Sequence, residues 1–188
     1  MEKLILASNS PRRRDIFTLL GLDFEVIPSA VEPAIALNEA PEKAVLQVAR
    51  AKAADVFQQN PARIVVGADT VVVLEDRILG KPASLEQAEE MLTALSGRHH
   101  RVMTGVSVLA PQGTFGFTAQ TTVWFYPLSL EQVRAYAASG EAMDKAGAYA
   151  IQGNGLRLVE KIDGDFYNVV GFPAAAFVRH MQQWGLSQ

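Results

Sequence analysis

Leu4-Ile5-Leu6-Ala7-Ser8-Asn9-Ser10-Pro11-Arg12-Arg13-Arg14 is the stretch whose reading decides the fold. A short apolar run stopped by Ser-Asn-Ser reads as a buried strand leaving a sheet. Ser10 then has the side chain of an N-cap, and Pro11 stands at the first helical position, where its missing N–H costs nothing. Ile16, Leu19 and Leu20 follow at helical spacing, and Gly21 closes the helix. Its charges are the wrong sign for a purely structural helix, because arginines in a first turn oppose the helix dipole. Backbone N–H groups at a helix N-terminus, two hydroxyls and two or three guanidiniums together make an anion site. The plainer alternative is a capped helix with solvated arginines; the charge placement favours the anion.

Strands and helices alternate outward from this unit. Phe24 to Ile27 reads as a second strand, residues 28–38 as an irregular loop, and Pro41 to about Gln59 as a long amphipathic helix. The β-branched run of residues 63–68 ends in Gly67-Ala68-Asp69-Thr70. Strand continues through Val71 to Leu74, with a turn at Glu75-Asp76-Arg77. Ser84 caps a helix from Leu85 to about Leu95. Arg101 to Leu109 and Thr114 to Phe125 read as strands joined by a Pro111-Gln112-Gly113 hairpin. Ser129 caps another helix reaching about Ser139, a glycine-punctuated loop covers residues 144–153, and a strand near 156–162 precedes a last helix from Pro173 to Trp184. The pattern predicts an α/β fold, a mixed sheet flanked by helices. Its 188 residues suit one domain over 1–188, or one domain with two lobes around a central cleft.

Hydrophobic residues make up 49% of the chain and charged ones 20%, as in ordinary globular proteins. Seventeen basic against twenty acidic residues give a net charge of −3, which argues against nucleic acid as a partner. A small anion responds to local charge instead, and Lys3 and Arg12 to Arg14 face only Glu2 in the first fourteen residues. No cysteine is present, so disulfides, thiolate nucleophiles and cysteine-bound zinc are excluded. The opening apolar run is too short for a signal peptide, and none approaches the roughly 20 residues that span a bilayer. The expected setting is cytoplasmic, without a membrane partner.

Three further residues carry chemistry only in combination. Asp69 follows a run that reads as wholly buried, where a carboxylate could bind a divalent metal or act as a base toward water. Alone, an Asp capping a turn would be the better reading. Lys52 falls among alanines and valines on the apolar stripe of its helix, and Lys81 is held between Gly80 and Pro82. His99 and His100, adjacent in an extended segment, point to opposite faces and cannot chelate one metal. Gly147, Gly153 and Gly155 form no dinucleotide fingerprint, no P-loop occurs, no serine triad can be argued, and the scattered aromatics read as core.

Taken together, the segments resemble the Maf family of nucleotide pyrophosphatases. The resemblance rests on residues 6–13, on Ala49 to Ala53, Gly67 to Val71, Gly80-Lys81-Pro82, Ser96 to Val102, Thr104-Gly105-Val106, Asp144 to Tyr149, Ile151-Gln152-Gly153 and Asn168 to Pro173. It implies a fold like that of inosine triphosphatases, a homodimer, and hydrolysis between the α- and β-phosphates of a nucleoside triphosphate with Mg or Mn. It assigns Asp69 as catalytic acid/base and metal ligand, and places Ser8, Ser10, Arg12, Arg13, Lys52 and Lys81 around the phosphates. Arg12, Thr70 and Gln152 resemble the branch acting on dTTP and UTP rather than the one preferring 7-methyl-GTP. The Gln152 amide offers one acceptor and one donor to the edge of uracil or thymine, which an ionised Glu cannot.

One position departs from the family pattern. Members commonly carry an acidic pair after the second strand, whereas this chain has Val31-Glu32-Pro33. Glu32 is therefore the remaining metal candidate, with Glu39 and Glu42 as alternatives. The missing carboxylate also leaves a second reading open, a non-catalytic nucleotide- or protein-binding regulator of septum formation. A third keeps the chemistry and moves the substrate toward purines or modified pyrimidine nucleotides.

Overall fold

Leu4 to Leu6 are entirely buried, and this strand, β1, hydrogen-bonds in parallel with β2 (Phe24–Val26) and β3 (Val65–Leu74). Parallel strands covered on both faces take continuous apolar runs, which is why Leu4-Ile5-Leu6 and Ile64-Val65-Val66 signal strand without alternation. The computed structural model describes residues 3–36 and 39–185; Glu2, and Leu37-Asn38 at the end of the expected loop, lie outside the described residues. Among the described residues the sheet has seven strands, six of them in the order β2-β1-β3-β5-β6-β7 and the seventh, β4, paired off this path with β3. Here β5 is His99–Ala110, β6 is Gly113–Phe125, and β7 is Val159–Asp163, antiparallel to β6. β4 (Arg77–Leu79) pairs antiparallel with β3 beyond the Glu75-Asp76 turn. Only two of its three residues are apolar, too few for a period to show in the sequence.

Three of the helices start where a serine caps them. α1 (Pro11–Leu19) begins after Ser10, whose side chain accepts from the Arg13 N–H. α2 (Pro41–Gln59) buries Val45, Val48, Ala49, Lys52, Ala53 and Val56 along one stripe. α3 (Leu85–Leu95) is capped by Ser84, and α4 (Leu130–Ala137) by a Ser129–Gln132 capping box. α5 (Phe166–Val170) has no counterpart in the sequence reading. Its single turn is anchored by Asn168, which is wholly buried and donates to the Val102 carbonyl at 3.0 Å and Thr121 Oγ1 at 3.1 Å. α6 (Ala174–Gln183) is the last described helix, and two 3-10 turns form at Ala146–Ala148, in the glycine-punctuated loop, and at Gly153–Arg157, where the strand expected from 156 has not yet begun. Among the described residues no helix is long and apolar enough to cross a membrane.

The chain divides into two compact units. The first comprises Met1–Thr70, Thr104–Ala119 and Gly171–Gln188, the second Val71–Met103 and Gln120–Val170, so β3, β5 and β6 each contribute to both. The first unit packs Ile5, Ala7, Ala53, Val56, Val65 and Leu109 together, and it also holds an aromatic cluster of Phe17, Phe24, Phe172 and Phe177. Val72, Leu92, Leu95, Val123, Phe125 and Tyr136 lie in the core of the second. Not every aromatic is core, however: Tyr126, Phe166 and Tyr167 are 50%, 41% and 42% exposed. His99 and His100 do face apart, His99 exposed and His100 buried with Nε2 2.7 Å from Tyr149 Oη. Burial, helped by His99, holds the His100 pKa down to about 3, and burial raises that of Tyr149.

Candidate active site

The cap that starts α1 also turns Arg13 inward. The residue is only 9% exposed, and its guanidinium is fastened on three nitrogens. Nε donates to the Gly171 carbonyl at 2.9 Å, Nη1 to Ser8 Oγ at 3.1 Å and Nη2 to Thr70 Oγ1 at 3.0 Å. Burial lowers the Arg13 pKa and Arg12 adds to that, while Asp69 and Glu32 oppose it; an arginine stays charged regardless. The Gly171 carbonyl is aimed by a backbone φ of +130°, a region that favours glycine, although a Cβ there would meet nothing nearer than Thr70 Oγ1 at 3.9 Å. Thr70 Oγ1 also lies 2.9 Å from Oγ1 of the wholly buried Thr104.

A second charged cluster stands on the next residue of β3. Asp69 is the fifth of the ten residues of this strand, so no turn follows it. Its Oδ1 accepts from Lys52 Nζ at 2.8 Å, and the same ammonium reaches Glu32 Oε1 at 2.8 Å. Lys52 is 8% exposed, not a solvated surface lysine. Gly67 brings the two elements together: a Cβ there would lie 2.4 Å from the Ala49 carbonyl oxygen and 2.8 Å from Ala53. With no side chain at 67, α2 closes on β3 one helical turn from Lys52 and two residues before Asp69. Glu32 keeps a 75% exposed side chain on a segment tied down by Asp55, which accepts from Ser29 Oγ at 3.0 Å and the Ala30 N–H at 2.8 Å. Of the alternatives, Glu39 accepts from Gln47 Nε2 at 2.8 Å and Glu42 sits in the first turn of α2.

Among the described residues no group of three or more His, Asp or Glu side chains gathers as a metal cage. The donor chemistry nonetheless suits a hard cation. Asp69 and Glu32 converge on one positive charge, and Mg²⁺ commonly takes one or two carboxylates, completing its shell with water and phosphate oxygens.

In the first unit, then, Ser8, Arg13 and Thr70 share one hydrogen-bond network, Ser10 caps the helix that carries it, and Lys52, Asp69 and Glu32 share another. Arg12, half-buried, follows Pro11 in α1. Lys81 and Gln152 belong to neither network; both are exposed and lie in the second unit. There the Gly80 carbonyl accepts from the Gly147 N–H at 3.0 Å. Past Gln152, Asn154 donates to the Glu141 carboxylate through its backbone at 3.1 Å and its side chain at 2.8 Å. The sequence reading passed over Thr104, the Gly171 carbonyl and Glu141. Thr104 and Gly171 did fall within stretches that carry the family resemblance, and Thr104 is one of two hydroxyls, with Ser107, in the run from Val102 to Val108.

The family model described as Maf-like protein matches residues 3–184. The chain belongs to this family. Maf-like relatives called dTTP/UTP pyrophosphatase, from Bacillus anthracis and Bacillus cereus, are each 46% identical over 186 residues, covering 99% of this chain and 97% of their own. Among solved structures, a nucleoside-triphosphatase / dITP/XTP pyrophosphatase of Mycobacterium abscessus overlays 67% of this Maf-like chain on 75% of its own, at a TM-score of 0.45 and 12% identity. That likeness is too loose to carry a residue across.

Proposed function

We propose that this Maf-like protein hydrolyses dTTP and UTP to the monophosphate and pyrophosphate. The observation that carries the chemistry is the pairing of a nearly buried carboxylate, Asp69, with Lys52 and Glu32 beside the buried guanidinium of Arg13. The full-length relatives named for dTTP and UTP support the substrate class. In this reading Asp69 takes the proton of the attacking water. Water oxygen bonds to the α-phosphorus, the bridging P–O bond breaks, and pyrophosphate leaves with the bridging oxygen. Arg12, Arg13, Lys52 and Lys81, with Ser8, Ser10 and the α1 N-terminus, are assigned to the phosphates, where fixed cations stabilise charge spread over the transferring group. Gln152 is assigned to the pyrimidine edge, and Thr70 to the setting of Arg13. Asp69 and Glu32 would hold a divalent cation such as Mg²⁺ or Mn²⁺, which lowers the pKa of bound water and offsets phosphate charge.

A pyrophosphate-release screen over dTTP, UTP, CTP, 7-methyl-GTP and ITP, with magnesium and with manganese, tests the reading. The expected result is dTTP and UTP at the head of the series. A preference of about tenfold or more for 7-methyl-GTP or ITP, a difference of roughly 1.4 kcal/mol, overturns the base assignment. Release from none of the five overturns the activity itself.

A further inference from the structure

Thr104 is a β5 residue with no exposed surface, and its hydroxyl meets Thr70 Oγ1 at 2.9 Å. Thr70 Oγ1 has one proton and two lone pairs. One lone pair accepts from Arg13 Nη2 at 3.0 Å. The proton has two possible acceptors, Thr104 Oγ1 at 2.9 Å and the Gly171 carbonyl at a longer 3.4 Å. That same carbonyl accepts from Arg13 Nε at 2.9 Å. Without the Thr104 hydroxyl, Thr70 Oγ1 loses its 2.9 Å partner and keeps, besides the bond from Arg13, the longer 3.4 Å contact to the Gly171 oxygen. With Thr104 present, whichever of the two hydroxyls donates, the 2.9 Å contact fixes Thr70 Oγ1 where it accepts from Arg13 Nη2.

We propose that Thr104 is a positioning residue: acting through Thr70, it holds the Arg13 guanidinium in one orientation and so orients the donors that Arg13 offers to an anion. Three of the five guanidinium N–H groups are engaged by Ser8, Thr70 and Gly171, and two remain for phosphate oxygens. Two donors in a planar fork bind an oxyanion well only if the plane is fixed beforehand. The clamp is built from residues of one unit and from its three segments of chain, with Ser8, Arg13 and Thr70 in the first, Thr104 in the second and Gly171 in the third. The functional part rests on the reading above, that Arg13 binds the substrate's phosphates.

Thr104→Val keeps the shape and strand preference of the side chain and removes only the hydroxyl. It is expected to lower kcat/KM for dTTP on the order of tenfold, the scale of one lost hydrogen bond to a charged group. Thr104→Ser, which restores the hydroxyl, should recover most of that loss. In an Arg13→Lys background, Thr104→Val should add little, because the fork it orients is gone. A hydroxyl that served only packing would shift the melting temperature and act additively with Arg13→Lys. Exchange of the Arg13 Nε–H with solvent, followed by nitrogen-15 NMR, reads the clamp without any turnover and should quicken several-fold in Thr104→Val. Unchanged exchange, or additive effects in the double variant, overturns the positioning role. Faster exchange with wild-type turnover in both Thr104→Val and Arg13→Lys upholds the clamp and overturns the assignment of Arg13 to the phosphates.

Discussion

The residues assigned to the phosphates in the first unit and those of the second unit are held in opposite ways. Arg13 and Lys52 are themselves buried, and each is fixed by hydrogen bonds that its own side-chain nitrogens donate. Lys81 and Gln152 are exposed, and what is fixed is the backbone beside them: the Gly80 carbonyl by the Gly147 N–H, and the Gln152 loop by Glu141 at Asn154 and by Tyr136 Oη at the Ala150 N–H. A charge removed from water must keep every partner, since each unmade bond costs about 1–3 kcal/mol or more. A side chain left in water is free to adjust to the edge it reads while its backbone stays anchored. Substitutions of the buried charges in the first unit should therefore fail in turnover, and those of Gln152 in the second in choice of substrate.

Asp69→Asn offers the hardest test of the first half of that contrast. It keeps the size of the side chain and an oxygen for Lys52, but no longer takes a proton. We expect kcat for dTTP to fall by about a thousandfold, within the range for a lost general base, while nucleotide still binds by calorimetry. A loss smaller than tenfold would assign the base elsewhere. Lys52→Met comes next. It removes the ammonium that now occupies both carboxylates, so Mn²⁺ should bind the nucleotide-free protein several-fold more tightly by electron paramagnetic resonance, as two cations no longer compete for the same oxygens. Weaker Mn²⁺ binding would remove Asp69 and Glu32 as the metal ligands. On the other side, Gln152→Glu should lower kcat/KM for dTTP and UTP roughly tenfold relative to purine triphosphates. As an exposed change it should leave stability within about 0.5 kcal/mol. An equal loss for every triphosphate would erase the distinction between the two units.

That distinction also explains which features were legible in the sequence. α2 was read to its residue bounds because Val45, Val48, Ala49, Lys52, Ala53 and Val56 keep a helical period, and the starts of α1, α3 and α4 because Ser10, Ser84 and Ser129 announce them. β4 and α5 were missed because three and five residues carry no measurable period. Asp69 looked like the end of a strand because Gly67-Ala68 interrupts the β-branched run. The glycine marks instead the contact where α2 presses on β3. Lys52 was noticed because a lysine on an apolar stripe needs a partner, yet nothing in the sequence says that the partners are Asp69 and Glu32, 17 and 20 residues away. The Gly171 carbonyl was invisible because any residue supplies one; only the fold aims it at Arg13.

The gentlest test concerns stability, and it should touch the second unit alone. His100 has an ordinary pKa of 6.5 and is held at about 3 in the folded protein by burial. Between those values the unfolded chain takes up a proton that the folded one refuses, so stability is full above pH 6.5 and drains as pH falls toward 3. The slope has a ceiling of about 1.4 kcal/mol per pH unit for one group. His100→Gln keeps a polar neighbour for Tyr149 Oη and does not titrate, so its urea midpoint should vary less than that of the wild type between pH 6.5 and 5. The location of the change matters as much as its size. His100 packs against Phe125 and Tyr149, both of the second unit, and amides of β6 around Val123 and Phe125 should lose hydrogen-exchange protection at pH 5 before those of β1 and α2 do. Parallel pH profiles for wild type and His100→Gln would show that the proton enters elsewhere. Simultaneous loss of protection in β1 and β6 would show that the two units unfold as one, and that their different ways of holding a side chain sit on a single cooperative frame.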